Sequence, residues 1–291
     1  MGRKKKQHII NDSTSNDVLF PKEFGRGFDK LQREQNDGYI PKASLSTDGS
    51  KIYLPQPHGA DPVEIRIYEE SEWDALYDEQ EKNQSSLEHI RMRGDKGKPI
   101  PSYDQNGQGY CWMYSSCSAL TASRAKQNQP YVRFSAHAGA WVIKKGADEG
   151  GWTGLAGPFV EEKGLPTVKE WPEKSMNGQT YNTAATWEVA KQYRPTETWI
   201  DMRAAAYDRT LARRVLATLL FNNIPCTGDY DWWSHSVGLL RWCRISAGSW
   251  GPLIWNSWTD SFGTQGMSKL EGSKAEHSGA IAFRTPMAMA A

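Results

Sequence analysis

The sequence predicts an α+β protein, because its clearest helical patterns precede its clearest strand patterns. Residues 111–126 contain neither Gly nor Pro and carry small or apolar side chains nearly all round the helix, which indicates a buried helix. Residues 207–222 form a second helical pattern, which is amphipathic. Further helices are predicted at 135–145 and 157–163, and strands at 236–242, 253–255 and 280–283.

The first hundred residues differ in composition from the rest of the chain. Residues 1–20 begin with a basic run and continue with Asn, Asp and Ser, which is typical of a flexible arm. The chain stays polar up to a linker-like Asp95-Lys-Gly-Lys-Pro-Ile-Pro segment. We therefore divide the chain into an N-terminal extension, residues 1–100, and a globular domain, residues 101–291.

Charge and cysteine content exclude several classes of function. The 35 Lys and Arg residues nearly balance the 34 Asp and Glu residues, so a dedicated nucleic-acid binder is not expected. No Cys/His cluster has zinc-ligand spacing, and four cysteines are too few for a disulfide framework, although Cys226 and Cys243 could pair. No secretory signal or bilayer-spanning run is evident. We expect a cytoplasmic protein without a membrane partner.

Cys111 has the sequence context of a nucleophile. It opens the first predicted helix, where the positive end of the helix dipole would stabilise a thiolate. Gln105 precedes it on a turn that contains Gly107 and Gly109. A side-chain amide placed there could hold, together with a backbone N–H, the oxyanion formed by attack on a carbonyl. A single cysteine is more often buried and inert, so the assignment of Cys111 as a nucleophile depends on catalytic partners elsewhere in the sequence.

His235 and Asn256 supply such partners. His235 begins an apolar strand and follows two tryptophans, although a hydrogen-bonded structural histidine would fit the same pattern. Asn256 ends another apolar run, between Trp255 and Trp258. A neutral amide can hold an imidazole in one orientation, and an indole above the pair can exclude water. Cys, His and Asn together form the cysteine variant of a catalytic triad.

Several ordered segments match one family. Asp104-Gln-Asn-Gly-Gln-Gly-Tyr-Cys-Trp-Met-Tyr-Ser resembles the active-site segment of papain-like cysteine peptidases. Glu149-Gly-Gly-Trp resembles the family's substrate-binding stretch, and Ser234-His-Ser-Val resembles its His-Ala-Val motif. Leu253-Ile-Trp-Asn-Ser-Trp resembles its Asn-Ser-Trp motif. The order of the motifs also matches, and the resemblance covers roughly residues 101–285.

The resemblance implies a two-lobed fold and peptide hydrolysis. A helical lobe would carry the Cys111 helix, and an antiparallel, barrel-like β lobe would carry His235 and Asn256. Gln105 would be the oxyanion donor, the substrate a polypeptide, and no cofactor or metal would be needed. The substrate-binding surface implied by the resemblance comprises Gly150, Gly151, Trp152, Trp233 and Trp258.

The sequence also departs from the family pattern. Gln108 stands where the family has a cysteine, and that cysteine's partner near the Gly-Gly pair is also missing, which fits a reducing compartment. The connection from Pro225 to His235 is short, although this region normally helps to build a substrate pocket. Trp233 is expected to fill part of that pocket, so substrate specificity is not implied.

Two other functions stay open at the level of sequence. The chain could be a structural or binding component of a larger assembly, such as a viral or phage particle, because fold does not dictate function. It could also be an amidase or peptidoglycan hydrolase that uses the same triad. The extension could be an inhibitory propeptide, which would make the enzyme latent, or an arm that docks on a protein partner.

Overall fold

The computed structural model describes residues 8–21, 25–30, 42–56, 62–195, 199–246 and 248–283. The basic run that opens the predicted N-terminal arm lies outside these residues. Among the described residues, no helix has both the length and the apolar composition that a membrane crossing would require.

The helices of the described residues include the four predicted ones, one of which starts earlier than predicted. They are α1 (Asn16–Leu19), α2 (Trp73–Asn83), α3 (Leu87–Arg93), α4 (Cys111–Lys126), α5 (Ala136–Ile143), α6 (Thr153–Lys163), α7 (Gly178–Tyr181), α8 (Ala184–Lys191) and α9 (Arg209–Phe221). The side chains of Ser135 and Asp208 cap α5 and α9. Helix α6 begins before the predicted residue 157, because the buried Asp229 carboxylate accepts the backbone N–H of Thr153. This cap comes from a distant strand, so a local pattern does not reveal it.

The strands form two sheets. They are β1 (Ile9–Ile10), β2 (Ser44–Leu45), β3 (Lys51–Leu54), β4 (Val63–Arg66), β5 (Ile200–Asp201), β6 (Cys226–Tyr230), β7 (His235–Ser246), β8 (Ser249–Trp255), β9 (Met267–Leu270) and β10 (Gly279–Ala282). The large sheet has the order β1-β9-β8-β7-β6-β10-β5, and the small one has the order β2-β3-β4. Every pairing is antiparallel except that of β1 with β9. The predicted strands correspond to parts of β7, β8 and β10.

Helix α4 lies between a helical lobe and the large sheet. Small side chains allow the sheet to approach closely: a Cβ on Gly238 of β7 would lie 2.8 Å from Cβ of Ser118 on α4. One core joins the other face of α4 to α5 and α6, and another core joins β6, β7 and α9. The buried helix predicted at residues 111–126 therefore carries Cys111 to the junction of the two lobes.

Strand β3 and helix α2 of the N-terminal extension share the core of the β lobe. Ile52, Leu54 and Trp73 are buried in the same cluster as residues of β6, β7 and α9. Arg241 of β7 is 1 % exposed and reaches into α2, where its Nε donates to Oε1 of Gln80 at 3.2 Å. The boundary placed near residue 100 thus does not separate two hydrophobic cores.

Residues 8–20 are packed rather than free, unlike the flexible arm predicted from composition. Strand β1 extends the large sheet, with Ile9 opposite Lys269 and Ile10 opposite Leu270. Ile10 and Leu19 are buried in the core of the β lobe. These apolar side chains are widely spaced in a polar segment, so composition alone conceals them.

Candidate active site

Cys111 is the first residue of α4 and is completely buried. The backbone and hydroxyl of Ser236 and the backbone of Gly27 lie close enough to the Cys111 sulfur to lower the pKa of its thiol. Since Ser236 follows His235 in β7, the sulfur lies beside the strand that carries the histidine. The helix start and the strand start, more than a hundred residues apart in sequence, therefore meet at one place.

Gln105 is fully buried on the turn before α4, and its amide is anchored on both sides. Its Oε1 accepts a 2.5 Å hydrogen bond from the Ser257 hydroxyl. One Nε2 hydrogen bond, of 2.7 Å, goes to the main-chain oxygen of Gln108, and the other, of 2.6 Å, goes to the carbonyl oxygen of Gly25. The amide thus directs one N–H at a carbonyl supplied by a distant segment.

His235 and Asn256 form a hydrogen-bonded pair, and both are completely buried. The distance between His235 Nε2 and Asn256 Oδ1 is 2.8 Å, and Oδ1 also accepts the backbone N–H of Ser257 at 2.8 Å. Because Oδ1 can only accept, the hydrogen in this bond is on Nε2. Nδ1 of the neutral ring then carries the lone pair, and it has no hydrogen-bond partner among the described residues.

Two indoles cover this pair. The ring of Trp258 lies 4.6 Å from the ring of His235 at a tilt of 31°, and that of Trp233 meets it edge-on at 4.9 Å. Both tryptophans are completely buried. They exclude water from the bond between His235 and Asn256, as expected for Trp258 from the sequence. Trp233 acts as a buried wall here, and its Nε1 donates to the main-chain oxygen of Leu19 at 2.6 Å.

The predicted substrate-binding stretch pairs with the chain's own N-terminal segment. The N–H of Gly151 donates to Gly27 O at 2.6 Å, and Gly151 O accepts the N–H of Asp29 at 2.9 Å. The N–H of Phe28 donates to Ser234 O at 3.1 Å, and Phe28 and Gly151 form a parallel bridge. Residues 25–30, hereafter the plug, thus pair through Phe28 and its neighbours with the chain at Gly151, across the cleft between the lobes.

The side chain of Phe28 completes the closure. It packs in a small apolar cluster with Cys111 and Trp152, next to the half-buried Leu155. On the other wall, the carbonyl of Gly25 accepts from Trp258 Nε1 at 3.1 Å as well as from Gln105. The plug therefore contacts Cys111 and Gln105, two of the four residues that the sequence assigned to catalysis.

Two glycines of the plug permit this close approach. A Cβ on Gly25 would lie 2.2 Å from the main-chain carbon of Gly107, and one on Gly27 would lie 1.8 Å from Gly109 O. On the opposite side, a Cβ on Gly150 would lie 2.7 Å from Gly27 O. Backbone meets backbone on both sides, so no side chain fits at these positions without displacing the strand.

Burial makes both reactive groups neutral in this closed state. It raises the pKa of the Cys111 thiol to about 12, against the hydrogen bonds from Ser236 and Gly27, and the nearby Asp229 adds to the rise. Burial lowers the pKa of His235 to about 3, against the hydrogen bond to Asn256, and Arg26 of the plug adds to the fall. A thiolate–imidazolium pair of Cys111 and His235 is therefore disfavoured while the plug is in place.

Sequence reasoning did not find the plug, and it did not find two supporting residues. Ser257 links the two amides: its backbone N–H donates to Asn256 and its hydroxyl to Gln105. The Asp229 carboxylate accepts from the Ser236 hydroxyl at 2.5 Å and from the Thr153 hydroxyl at 2.9 Å. The only local signal of the plug is its pair of glycines before an aromatic residue.

The remaining cysteines and the possible metal ligands among the described residues bear on two sequence-based expectations. All four cysteines are free and buried, so Cys226 and Cys243 do not pair in this structure. Within the ranges that the structure describes, no three His, Cys, Asp or Glu side chains converge as metal ligands.

Comparison with known proteins shows the fold. No protein-family model and no curated protein matches the chain. Among solved structures, xylellain, a cysteine protease from Xylella fastidiosa, is similar at 17 % identity and a TM-score of 0.50, over 65 % of this chain and 84 % of that one. Digestive procathepsin L 3 of Tenebrio molitor larval midgut is similar at 15 % identity and a TM-score of 0.50, over 73 % and 87 %.

A third similar structure covers more of the chain. The Amb a 11 cysteine protease, a major ragweed pollen allergen in its proform, is similar at 13 % identity and a TM-score of 0.55, over 93 % of this chain and 77 % of that one. All three are papain-like cysteine proteases. The chain therefore has the two-lobed papain-like α+β fold predicted from its sequence.

Proposed function

We propose that this protein is a cysteine peptidase that hydrolyses peptide bonds with Cys111, His235, Asn256 and Gln105, and that its own plug keeps it latent. The observation that carries the proposal is the orientation of His235. Its Nε2–H is held by Asn256 and its free Nδ1 belongs to the strand whose next residue contacts the Cys111 sulfur. A histidine held only for structure would have no need of a buried nitrogen without a partner.

The chemistry follows from these positions. His235 Nδ1 takes the proton of Cys111, and the sulfur attacks the substrate carbonyl carbon. The carbonyl oxygen becomes an oxyanion, which accepts from Gln105 Nε2 and from the N–H of Cys111. His235 returns its proton to the leaving amine, and a water molecule then hydrolyses the thioester. Asn256 keeps the ring in one orientation throughout, because its Oδ1 accepts from Nε2–H.

The plug accounts for latency in two ways. It pairs with the backbone N–H and C=O of Gly151, and it accepts the second side-chain N–H of Gln105. A substrate strand therefore has nowhere to bind. It also excludes water, which disfavours the charged forms of both Cys111 and His235. Displacing the plug would readmit water, which would lower the pKa of Cys111 and raise that of His235. Both changes favour the thiolate–imidazolium pair. The similar Amb a 11 structure is that of a proform, which is consistent with this arrangement.

The substrate-binding role of Gly150, Gly151 and Trp152 belongs to the same proposal. Gly151 offers one N–H and one C=O to an extended backbone, and the plug uses both. Trp152 contributes an apolar surface against which Phe28 packs. A substrate would therefore bind as an added strand, with main-chain hydrogen bonds supplying affinity independent of its sequence.

The experiment uses a variant in which the plug cannot close. Gly27→Ala places a Cβ against Gly109 O, so the plug must leave the turn before α4. We expect the Gly27→Ala chain to hydrolyse casein and the intact chain to hydrolyse it far more slowly. Gly27→Ala/Cys111→Ala should be inactive, and activity that survives in this double variant would disprove the assignment.

The same assay separates the other functions considered from sequence. An amidase or peptidoglycan hydrolase would release cell-wall peptides while leaving casein intact. A purely structural component of an assembly would act on neither substrate, even when the plug is displaced.

A further inference from the structure

The turn that carries Gln105 is tied to helix α5 by a buried histidine outside the Cys–His–Asn set. His137 is completely buried. Its Nε2 is hydrogen-bonded to the side-chain oxygen of Gln108, and its Nδ1 lies 3.0 Å from the Tyr114 hydroxyl. Gln108 belongs to the turn and its N–H donates to Gln105 O at 3.1 Å. A histidine on one helix thus holds a glutamine on the turn.

The direction of each hydrogen bond between Tyr114, His137 and Gln108 is fixed. The Gln108 side-chain oxygen can only accept, so the hydrogen must be on Nε2 of His137. Nδ1 of the neutral ring is then an acceptor, and the Tyr114 hydroxyl must donate to it. Tyr114 and Tyr110 pack edge-on against the imidazole, at 5.8 Å and 5.3 Å between ring centroids. Tyrosine, histidine and glutamine therefore form one directed set of hydrogen bonds.

This set ends at the oxyanion donor. The main-chain oxygen of Gln108 accepts one Nε2 hydrogen of Gln105 at 2.7 Å. That bond decides where the second Nε2 hydrogen points, because the amide group is planar. Ser257 holds the other end of the amide at Oε1. A shift of Gln108 would rotate the remaining N–H away from the position that the Gly25 carbonyl occupies in the closed state.

We propose that His137, acting through Gln108 and with its tautomer fixed by Tyr114, is a positioning residue for the amide of Gln105. The proposal rests on the cysteine-peptidase function proposed above. Neither His137 nor Gln108 touches the reacting atoms. Their effect is to remove the freedom of the turn, so that the oxyanion donor is in place before the substrate binds.

The first test needs no turnover. We would measure solvent exchange of the Gln105 side-chain amide hydrogens by NMR in the Gly27→Ala background, where the plug does not shield them. Gln108→Ala should accelerate this exchange at least tenfold, because the turn loses its tie to α5. Gln192→Ala removes an exposed glutamine at the C-terminal end of α8 and should leave the exchange unchanged. An unchanged rate in Gln108→Ala would overturn the proposal.

The second test is kinetic and uses a double-mutant cycle in the same background. Removing an oxyanion donor outright costs about 10²–10³ in kcat, so we expect Gln108→Ala and His137→Phe to lower kcat about tenfold with little change in KM. In Gln105→Ala, where no amide remains to be positioned, adding Gln108→Ala should have no further effect on kcat. A loss that persists in full in that background would contradict the proposal.

The two proposals fail in different ways. A Gly27→Ala chain without any peptidase activity would count against the function proposed above, while the exchange measurement would still decide whether His137 positions Gln105. Tyr114→Phe supplies a milder variant in case His137→Phe does not fold. It should accelerate Gln105 exchange less than Gln108→Ala does, because the ring can still donate from Nε2.

Discussion

Two parts of the N-terminal extension contact the peptidase-like core in opposite ways. The plug touches the cleft through backbone hydrogen bonds and two glycines, and one aromatic side chain anchors it. Helices α2 and α3 instead cover β7 with buried side chains, among them Trp73 and Leu87, which are completely buried. Arg241 of β7 also reaches between them, to Gln80 and Glu88.

The difference separates a removable part from a permanent one. Displacing the plug breaks a handful of hydrogen bonds that water can replace, so its cost is modest. Displacing α2 and α3 would expose apolar surface and separate the Arg241 guanidinium from its carboxylate and amide partners. We therefore expect the extension to open at the plug while residues 73–93 stay docked.

The largest effect should follow from breaking the permanent contact. Arg241→Ala removes one member of a buried charged network and should lower the free energy of unfolding by about 3–5 kcal/mol, since Glu88 and Gln80 lose their partner. Urea denaturation measures this. Arg244→Ala is the matched control, because its partner Asp74 is exposed and the pair should contribute less than about 1 kcal/mol. Equal losses of unfolding free energy in the two variants would contradict the expected difference between the buried and the exposed charged contact.

A smaller, local effect should follow from changing the plug. Gly27→Ala should speed hydrogen exchange of the Phe28 and Asp29 amides at least tenfold, because the strand can no longer pair with Gly151. Exchange in α2 should not change. Gly49→Ala is the control: Gly49 has a positive φ of 70°, so the variant carries backbone strain, but the new Cβ meets nothing within 4 Å. Faster exchange throughout α2 would show that the two regions open together.

Acid should loosen the plug through His235. The folded pKa of His235, about 3, lies below its ordinary value of 6.5, so the closed state favours the neutral ring. The closed state is therefore most stable above pH 6.5, where the ring is neutral in the open state too. It loses stability as the pH falls towards 3, because the open state gains a proton that the closed state does not. Protection of the Phe28 and Asp29 amides, corrected for intrinsic exchange, should therefore decline between pH 6.5 and 5, before carboxylates titrate. His235→Gln should abolish that decline, and a decline that survives would assign it to another group.

The smallest effect belongs to the rim of the plug. Lys30 Nζ lies 3.2 Å from Asp231 Oδ2, but the side chains are 52 % and 33 % exposed. Lys30→Ala should change plug opening by only about 0.5 kcal/mol, and salt should screen even that. The rate of Asp29 amide exchange at low and high ionic strength measures it. A tenfold change would mean that charge, rather than backbone pairing, holds the plug.

The sequence predicted the helix and strand that bring Cys111 and His235 together, because each lies at the boundary of a strongly patterned element. It also predicted that Gln105 lies on the turn before the Cys111 helix and that Asn256 ends an apolar strand, and both residues lie there in the structure. It did not predict the packing of residues 44–100, although Arg241 within an apolar run was a signal that a charged partner must cover β7. The plug escaped prediction because Gly25 and Gly27 have meaning only against Gly107 and Gly109, which lie eighty positions away.

The most direct test of the whole account is the rate at which an epoxide inhibitor of cysteine peptidases modifies the chain, with the modified residue mapped by mass spectrometry. We predict modification at Cys111 alone, at least tenfold faster in Gly27→Ala than in the intact chain, and none in Gly27→Ala/Cys111→Ala. Modification of Cys117, Cys226 or Cys243 instead, or equal rates at Cys111 with and without the plug in place, would contradict the account.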